Sequence, residues 1–440
     1  MAAAETGGVG LPLAARLKDR FDVLARFSHV ALAVSGGSDS TALMYLVHRW
    51  RAETGERVPE ISVLTVDHGL RPASADEARA VAKAARTLGL AHRTLRWDEG
   101  KPASGLQAAA REARYGLLSR WCRENGAGCL LVGHTLDDQA ETVLMRLAHG
   151  SGVEGLAGMA EWRDLDGVML YRPLLGETRG SLRAMLDEAG IAYVDDPSNE
   201  DERFERVRVR KALASGALAG LDVRQIVRSA ERLREASEAI DHYTDRLVAR
   251  HGRLHLGGFA EIDGDALADA PVATRRRVLE RALRVVGGNA YPPRTEVLSE
   301  ICERLGRGEL IDVTLGGCRL VSWKGALVIA REFGRMDRSL VMLADGMVWD
   351  GRMRVGCPEN ISGYIGPVGE QWPALRRRKA RGGKLPAFIG QTLPALWEAS
   401  GEILRVPYLD HGNAPVVKLS FVSSALDMAK VVESAGAHEP

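Results

Sequence analysis

The sequence predicts an α/β fold: a doubly wound parallel sheet in the N-terminal part, then a helical region and a smaller C-terminal α+β region. Three observations predict it. Short apolar runs alternate with longer amphipathic runs between residues 28 and 195, as strand–helix units do. Arginine-rich helical patterns cover 223–250 and 272–286, and short β-like runs return after Arg294. The 440 residues, 45% of them hydrophobic, suffice for cores in about three domains.

Taken in order, 30–34 reads as a buried strand and 41–50 as the helix behind it. The run 61–66 is the next strand, and 75–88 a helix stopped by Gly89. A weaker strand at 91–97 precedes a long Ala/Arg-rich helix at 105–125. Residues 129–133 form a strand and 137–149 a helix closed by Gly150. A helix at 179–189 and a polar, turn-rich exit at 195–202 complete this part. Strands are expected at 311–315, 319–321, 326–330 and 347–355. The resulting boundaries are 1–27 (extension and first helix), 28–215, 216–290 and 291–440. In a sheet of this kind, sites lie at the carboxyl ends of the strands.

Lys and Arg (59) balance Asp and Glu (58), so the net charge of +1 points to no partner class and local clusters must. The five cysteines show no metal-ligand spacing, which argues against disulfide scaffolds and structural zinc and for free thiols in a reducing compartment. The Ala/Gly-rich start lacks a basic segment before an apolar one, and no apolar run approaches the length of a membrane span. The expectation is a soluble, cytoplasmic protein without membrane attachment.

The sharpest local feature is Ser35-Gly36-Gly37-Ser38-Asp39-Ser40-Thr41, between a strand and a helix. Two glycines allow close backbone approach, and free N–H groups at the helix start favour an anion. Hydroxyls add donors, so phosphate or pyrophosphate is the natural guest; the plain alternative is a Gly-Ser turn with Ser40 as a helix cap. The order differs from G-x-x-x-x-G-K-[ST], which disfavours kinase-like or GTPase-like sites. On the helix 137–149, Asp137 and Glu141 share a face, with Asp138 beside them and His134 just before. Such acids complement a helix dipole, and they can also hold Mg²⁺ or receive an ammonium. Arg111 and Arg114 share a helical face, either solvated or meeting phosphates. Arginines crowd again at 203–210, at 275–284 and at 376–384, where Arg376, Arg377, Arg378, Lys379, Arg381 and Lys384 occur without an acid. Such runs suit a phosphate backbone as well as solvent.

The loop matches the S-G-G-x-D-S signature of the PP-loop ATP pyrophosphatases, and further elements follow in order. These are Asp67-His68-Gly69-Leu70-Arg71, Gln107 to Tyr115, His134 to Thr142, Arg172-Pro173-Leu174-Leu175, and Asp196-Pro197-Ser198-Asn199. Together, from about residue 28 to 212, they resemble the tRNA(Ile)-lysidine synthase family, with a weaker echo at 315–319 and 386–397. Two positions depart from the family pattern: Val207 stands where Asn is common, and Thr135 where a second His is common.

The resemblance implies that 28–215 is a PP-loop ATP-binding catalytic domain and that 216–290 and 291–440 contact tRNA. It implies ATP-dependent ligation of free L-lysine to C2 of the wobble cytidine of tRNA(Ile) with a CAU anticodon, through an adenylated intermediate. Decoding then switches from AUG to AUA. ATP would lie on Ser35, Gly36, Gly37, Ser38, Asp39 and Ser40. Catalysis would fall to Asp39, Arg111, Arg114, His134, Asp137, Asp138 and Glu141, with lysine recognition at the acidic helix. Mg²⁺ would arrive on the ATP phosphates, with Asp39 as its candidate protein ligand. Arg206 and the 376–384 run would contact tRNA, and no protein partner is evident. The alternatives are a PP-loop tRNA thiolase, which usually needs paired cysteines, and a non-enzymatic tRNA-binding protein.

Overall fold

The computed structural model describes residues 13–55, 58–69, 74–98, 100–102, 105–194, 201–216, 220–288, 295–358, 362–378, 385–409, 417–422 and 430–432. The chain forms two compact units, 1–237 and 238–440, and the division falls within one long helix. The 195–202 exit lies outside the described residues up to 200.

In the first unit, α1 (Leu13–Arg16) and α2 (Lys18–Asp22) precede β1 (His29–Ala33) and α3 (Ser38–Thr54). Then come β2 (Glu60–Asp67), α4 (Ser74–Thr87), β3 (Ala91–Arg96), α5 (Leu106–Glu124), β4 (Cys129–Val132) and α6 (Leu136–Ala148). After α7 (Val153–Leu156), β5 (Trp162–Leu165) and β6 (Val168–Tyr171) form a hairpin, followed by α8 (Arg179–Glu188) and α9 (Glu205–Ala214). The sheet order is β3-β2-β1-β4-β6-β5, parallel except at β5. The order reverses between β1 and β4, so the crevice at their carboxyl ends receives the loops after both strands. Continuous apolar runs explain the central strands: Val30, Ala31 and Leu32 of β1 and Leu130 and Leu131 of β4 are fully buried, as strands covered on both faces must be.

The hairpin adds one antiparallel edge strand to the expected parallel sheet. Its strands are short, and β5 sits at the sheet edge with an alternation too brief to read. Asp166 and Gly167 make the turn with positive φ, and the Trp162 ring stacks 3.9 Å from that of Tyr171.

The dividing helix is α10 (Val223–His251). The second unit continues with β7 (Gly252–His255), β8 (Phe259–Asp263), α11 (Gly264–Asp269), α12 (Val272–Gly287), α13 (Thr295–Gly306), β9 (Asp312–Leu315), β10 (Cys318–Trp323) and β11 (Ala326–Arg331). β7 and β8 lie in a stretch whose sequence reads as helical, and β8 pairs antiparallel with β11. Four- and five-residue strands between strong helix patterns leave little periodic signal. Smaller antiparallel sheets follow, and α14 (Trp372–Arg378) carries the start of the second basic run.

The arginines at 275–284 are largely structural. Arg275 is buried and donates to the carbonyls of Leu267, Ala268, Ala270 and Cys302, while Arg277 and Arg281 pair with Asp241 and Asp245. Among the described residues no helix is long and apolar enough to cross a membrane. All five cysteines are free.

Candidate active site

The chain leaves β1 through Val34 and Ser35, turns at Gly36 with φ +94°, and enters α3 at Ser38 with Gly37 as its N-cap. Ser40 therefore lies inside the first turn rather than capping it. Its Oγ accepts from the Ser35 N–H at 3.1 Å and donates to the Gly37 carbonyl at 3.1 Å. Thr41 Oγ1 donates to the Gly36 carbonyl, also held by the Val194 N–H at 2.9 Å. The loop is thus braced from within, and the helix-start N–H groups remain available to an anion.

Gly133, at the end of β4, lets this loop sit where it does. A Cβ there would lie 2.9 Å from the Asp39 carbonyl oxygen and 3.1 Å from the Ser40 Cα. Gly133→Ala is therefore expected to push α3 away from β4 and weaken ATP binding about tenfold or more, measured by calorimetry, because the contact is backbone and cannot swing aside.

On the other side of the crevice, Thr135 caps α6. It is fully buried, its Oγ1 accepts from the Asp138 N–H, and Asp138 Oδ2 accepts from the Thr135 N–H at 2.9 Å. The departure from His at this position supplies a capping box worth about 1 kcal/mol. Gln139 is structural: its amide exchanges two hydrogen bonds with the backbone of Met159. Leu136 N–H donates to the Glu177 carbonyl, which draws the start of α8 against the start of α6.

There stands a residue that the sequence reading passes over. Arg179 anchors its own N–H on Asp137 Oδ2 at 2.7 Å, and its guanidinium spans Asp39 (3.1 Å), Asp138 (3.3 Å) and Glu141 (3.6 Å). One turn on, Arg183 Nε donates to Ser38 Oγ at 3.3 Å. Both arginines sit four apart on one helical face, a spacing visible in the sequence but unremarkable without the partner. Burial raises the Asp39 carboxyl above the usual range although Arg179 opposes it. For Asp138, burial would raise the pKa, but the charges of Arg179 and Arg206 outweigh it and hold it low.

Glu141 is 1% exposed and gripped by three arginines: Arg206 at 2.9 Å, Arg210 at 2.8 Å, and Arg179. It has no open face, whereas Asp137 is half-buried with one oxygen held by the Arg179 N–H. The structure thus brings the expected acids together but gives them unequal access. Arg206, expected to meet tRNA, also donates to Thr142 Oγ1 at 3.0 Å, within this cluster. Its neighbour Val207 is buried, so the position where Asn is common packs inward here.

His134 Nδ1 accepts from Arg172 Nε at 3.3 Å, which places the ring proton on Nε2. Burial, reinforced by Arg172, Arg114 and Arg111, pushes its pKa down to about 3 against the opposing charge of Asp138, so the ring is neutral at pH 7. Arg111 and Arg114 flank the Tyr115 ring, each 5.1 Å from its centroid. The crevice therefore has a cationic wall at α5 and an acidic cluster at α6. Asp67, closing β2, accepts from the Gly69 N–H and Ser74 Oγ and fixes the next turn; Leu70 and Arg71 lie outside the described residues, as do 196–199.

In the second unit Arg376 and Arg377 are exposed on α14, whereas Lys379, Arg381 and Lys384 lie outside the described residues. Among the described residues no three His, Cys, Asp or Glu side chains gather to hold a metal. Burial pushes the Cys122 and Cys129 thiols up to about 12, so neither is a thiolate at neutral pH.

Comparison with known proteins gives this geometry its context. A family model described as a PP-loop domain matches residues 12–216. A tRNA(Ile)-lysidine synthase from Ruegeria pomeroyi is 41% identical over 342 residues, covering 77% of this chain and 79% of that protein. One from Bradyrhizobium sp. is 45% identical over 316 residues, covering 70% and 87%. Among solved structures, U34-tRNA thiolase NcsA from Methanococcus maripaludis superposes with a TM-score of 0.43 at 21% identity, covering 50% of this chain and 78% of that one; so loose a superposition does not bear on activity. With the phosphate loop and the acidic helix joined through Arg179, and relatives of this identity matched over most of their length, the chain belongs to the tRNA(Ile)-lysidine synthase family.

Proposed function

We propose that this enzyme ligates lysine to C2 of the wobble cytidine in the CAU anticodon of tRNA(Ile), with ATP as the energy source. The observation that carries the reading is the meeting of the α3 phosphate loop with the α6 acids across Arg179, in a chain of this family. A C2 oxygen is a poor leaving group, and adenylation makes it a good one. The C2 oxygen attacks the α-phosphorus of ATP and pyrophosphate departs with the electron pair of the broken P–O bond. The lysine ε-amine then adds at C2, loses a proton, and AMP leaves.

Residues 35–40 orient the phosphates by backbone N–H groups and hydroxyls. Asp39, whose carboxyl borders the loop, is the carboxylate suited to Mg²⁺ carried on those phosphates. Mg²⁺ neutralises phosphate charge when bound. Asp137, the half-buried acid, holds the lysine ammonium and accepts its proton. Glu141 instead anchors Arg206 and Arg210, which with Arg111 and Arg114 line the approach of an anionic RNA. Neutral His134 offers its Nε2–H to the base or to AMP. Regions 216–290 and 291–440 contact the body of the tRNA, and the reaction belongs in the cytoplasm, with its reduced thiols.

The test is lysine-dependent release of AMP and pyrophosphate with tRNA(Ile), followed by mass analysis of the modified nucleoside. A mass gain of one lysyl residue is expected; a sulfur-bearing nucleoside would move the chain to the thiolases. The high thiol pKa values disfavour that outcome. A second measurement concerns the basic run. Changing Arg376, Arg377 and Arg378 together to Ala is expected to weaken tRNA binding and lower its log–log salt slope by about one per lost phosphate contact. An unchanged slope would assign the run to solvent.

A further inference from the structure

We propose that Arg179 and Arg183 of α8 bind the pyrophosphate half of ATP, with Arg179 exchanging its carboxylate partners for phosphate when ATP arrives. The proposal rests on the ligase reading for its substrate and extends it to residues outside the phosphate loop. The juxtaposition is specific: the two guanidiniums meet successive loop residues, Arg183 at Ser38 Oγ and Arg179 at Asp39 Oδ2, where α3 begins. That N-terminus collects phosphate charge, and a planar guanidinium matches phosphate oxygens in pairs.

Arg179 is also the cation that reaches both the loop and the α6 acids. Its side-chain contacts to three carboxylates run from 3.1 to 3.6 Å, whereas Arg206 and Arg210 hold Glu141 at 2.9 and 2.8 Å. Its backbone is fixed by Asp137, so the side chain can swing while the residue stays in place. Before ATP binds, the guanidinium neutralises Asp39 and Asp138, which would otherwise repel each other and the incoming phosphates. When it turns to the phosphates, Asp39 is released toward the loop. As the C2 oxygen–phosphorus bond forms and the α–β phosphoanhydride bond breaks, charge develops on the departing pyrophosphate, where both arginines stabilise it.

The experiment is calorimetric titration of the full chain with Mg·ATP, AMP and inorganic pyrophosphate, for wild type, Arg183→Ala, Arg183→Lys and Arg179→Lys. Arg179→Lys keeps the charge that the carboxylates need, so the test does not depend on a variant left with unpaired acids. Expected are losses of about tenfold or more for ATP and pyrophosphate in Arg183→Ala and Arg179→Lys, partial rescue in Arg183→Lys, and AMP affinity unchanged. A merely structural role would move AMP and ATP together. Undiminished ATP and pyrophosphate binding, or equal losses for AMP, overturns the proposal. A wild type that binds ATP yet joins no lysine to tRNA(Ile) overturns the ligase reading alone, since the pyrophosphate arm still decides the role of these arginines.

Discussion

Replacing Asp39 with alanine is expected to cut adenylation of tRNA(Ile) by at least about 100-fold, the scale of removing one preorganised electrostatic group from an active site. Asp39 is the loop's one carboxylate, accepts from Ser38 Oγ, and pairs with Arg179 at 3.1 Å. Burial already raises its pKa, so holding it ionised costs stability that the loop sustains for function. Thermal unfolding of Asp39→Ala should consequently match wild type or rise slightly, while ATP-dependent pyrophosphate release collapses. Near-normal adenylation by the folded variant would remove Asp39 from the catalytic set.

The second large effect is on stability. Glu141→Ala leaves Arg179, Arg206 and Arg210 without their shared buried counter-ion. Removing one member of a buried ionic cluster typically costs about 3–5 kcal/mol, and because these arginines reach solvent in part the expected loss is about 2–3 kcal/mol. Arg206 and Arg210 would also splay from α6, so lysine transfer should fall with stability. Glu141→Gln should lose nearly as much, because the amide keeps the shape without the charge. Glu141→Asp should recover part of both. Chemical denaturation that gave wild-type midpoints for Ala and Gln would mean that the three guanidiniums are satisfied by water, and would return Glu141 to the list of substrate-binding acids.

Much of the site was legible because its parts are local. The loop from Ser35 to Thr41 carries its glycines, hydroxyls and helix start in seven consecutive residues, and the α6 acids recur at helical spacing. Arg179 and Arg183 were not legible. Arg179 lies 140 residues from Asp39, and in sequence the two arginines are the ordinary cations of an amphipathic helix. Gly133 was likewise silent, since the need for a missing Cβ exists only once Asp39 and Ser40 pack against it. Glu141 and Asp137 look equivalent on paper, four residues apart; only the arrival of α9 with Arg206 and Arg210 closes one and leaves the other accessible. The run at 275–277 shows the converse, a surface-like pattern that packs inside. It reads as a basic patch, yet Arg275 is buried with its donors on four carbonyls, because a guanidinium can end a helix and bind a turn as readily as it binds phosphate.

By itself, then, the sequence determined the strand–helix alternation of the first unit, the phosphate loop, the acidic helix and the family, all properties of hydrophobic period and contiguous motifs. Tertiary structure alone decided the antiparallel β5 edge, the β7–β8 strands within a helical-looking stretch, and which charges meet. The physical reason is the same in each case. Period and turn chemistry act within about one turn or strand, whereas the ionic partner of a side chain is set by the register of packed elements far apart in the chain.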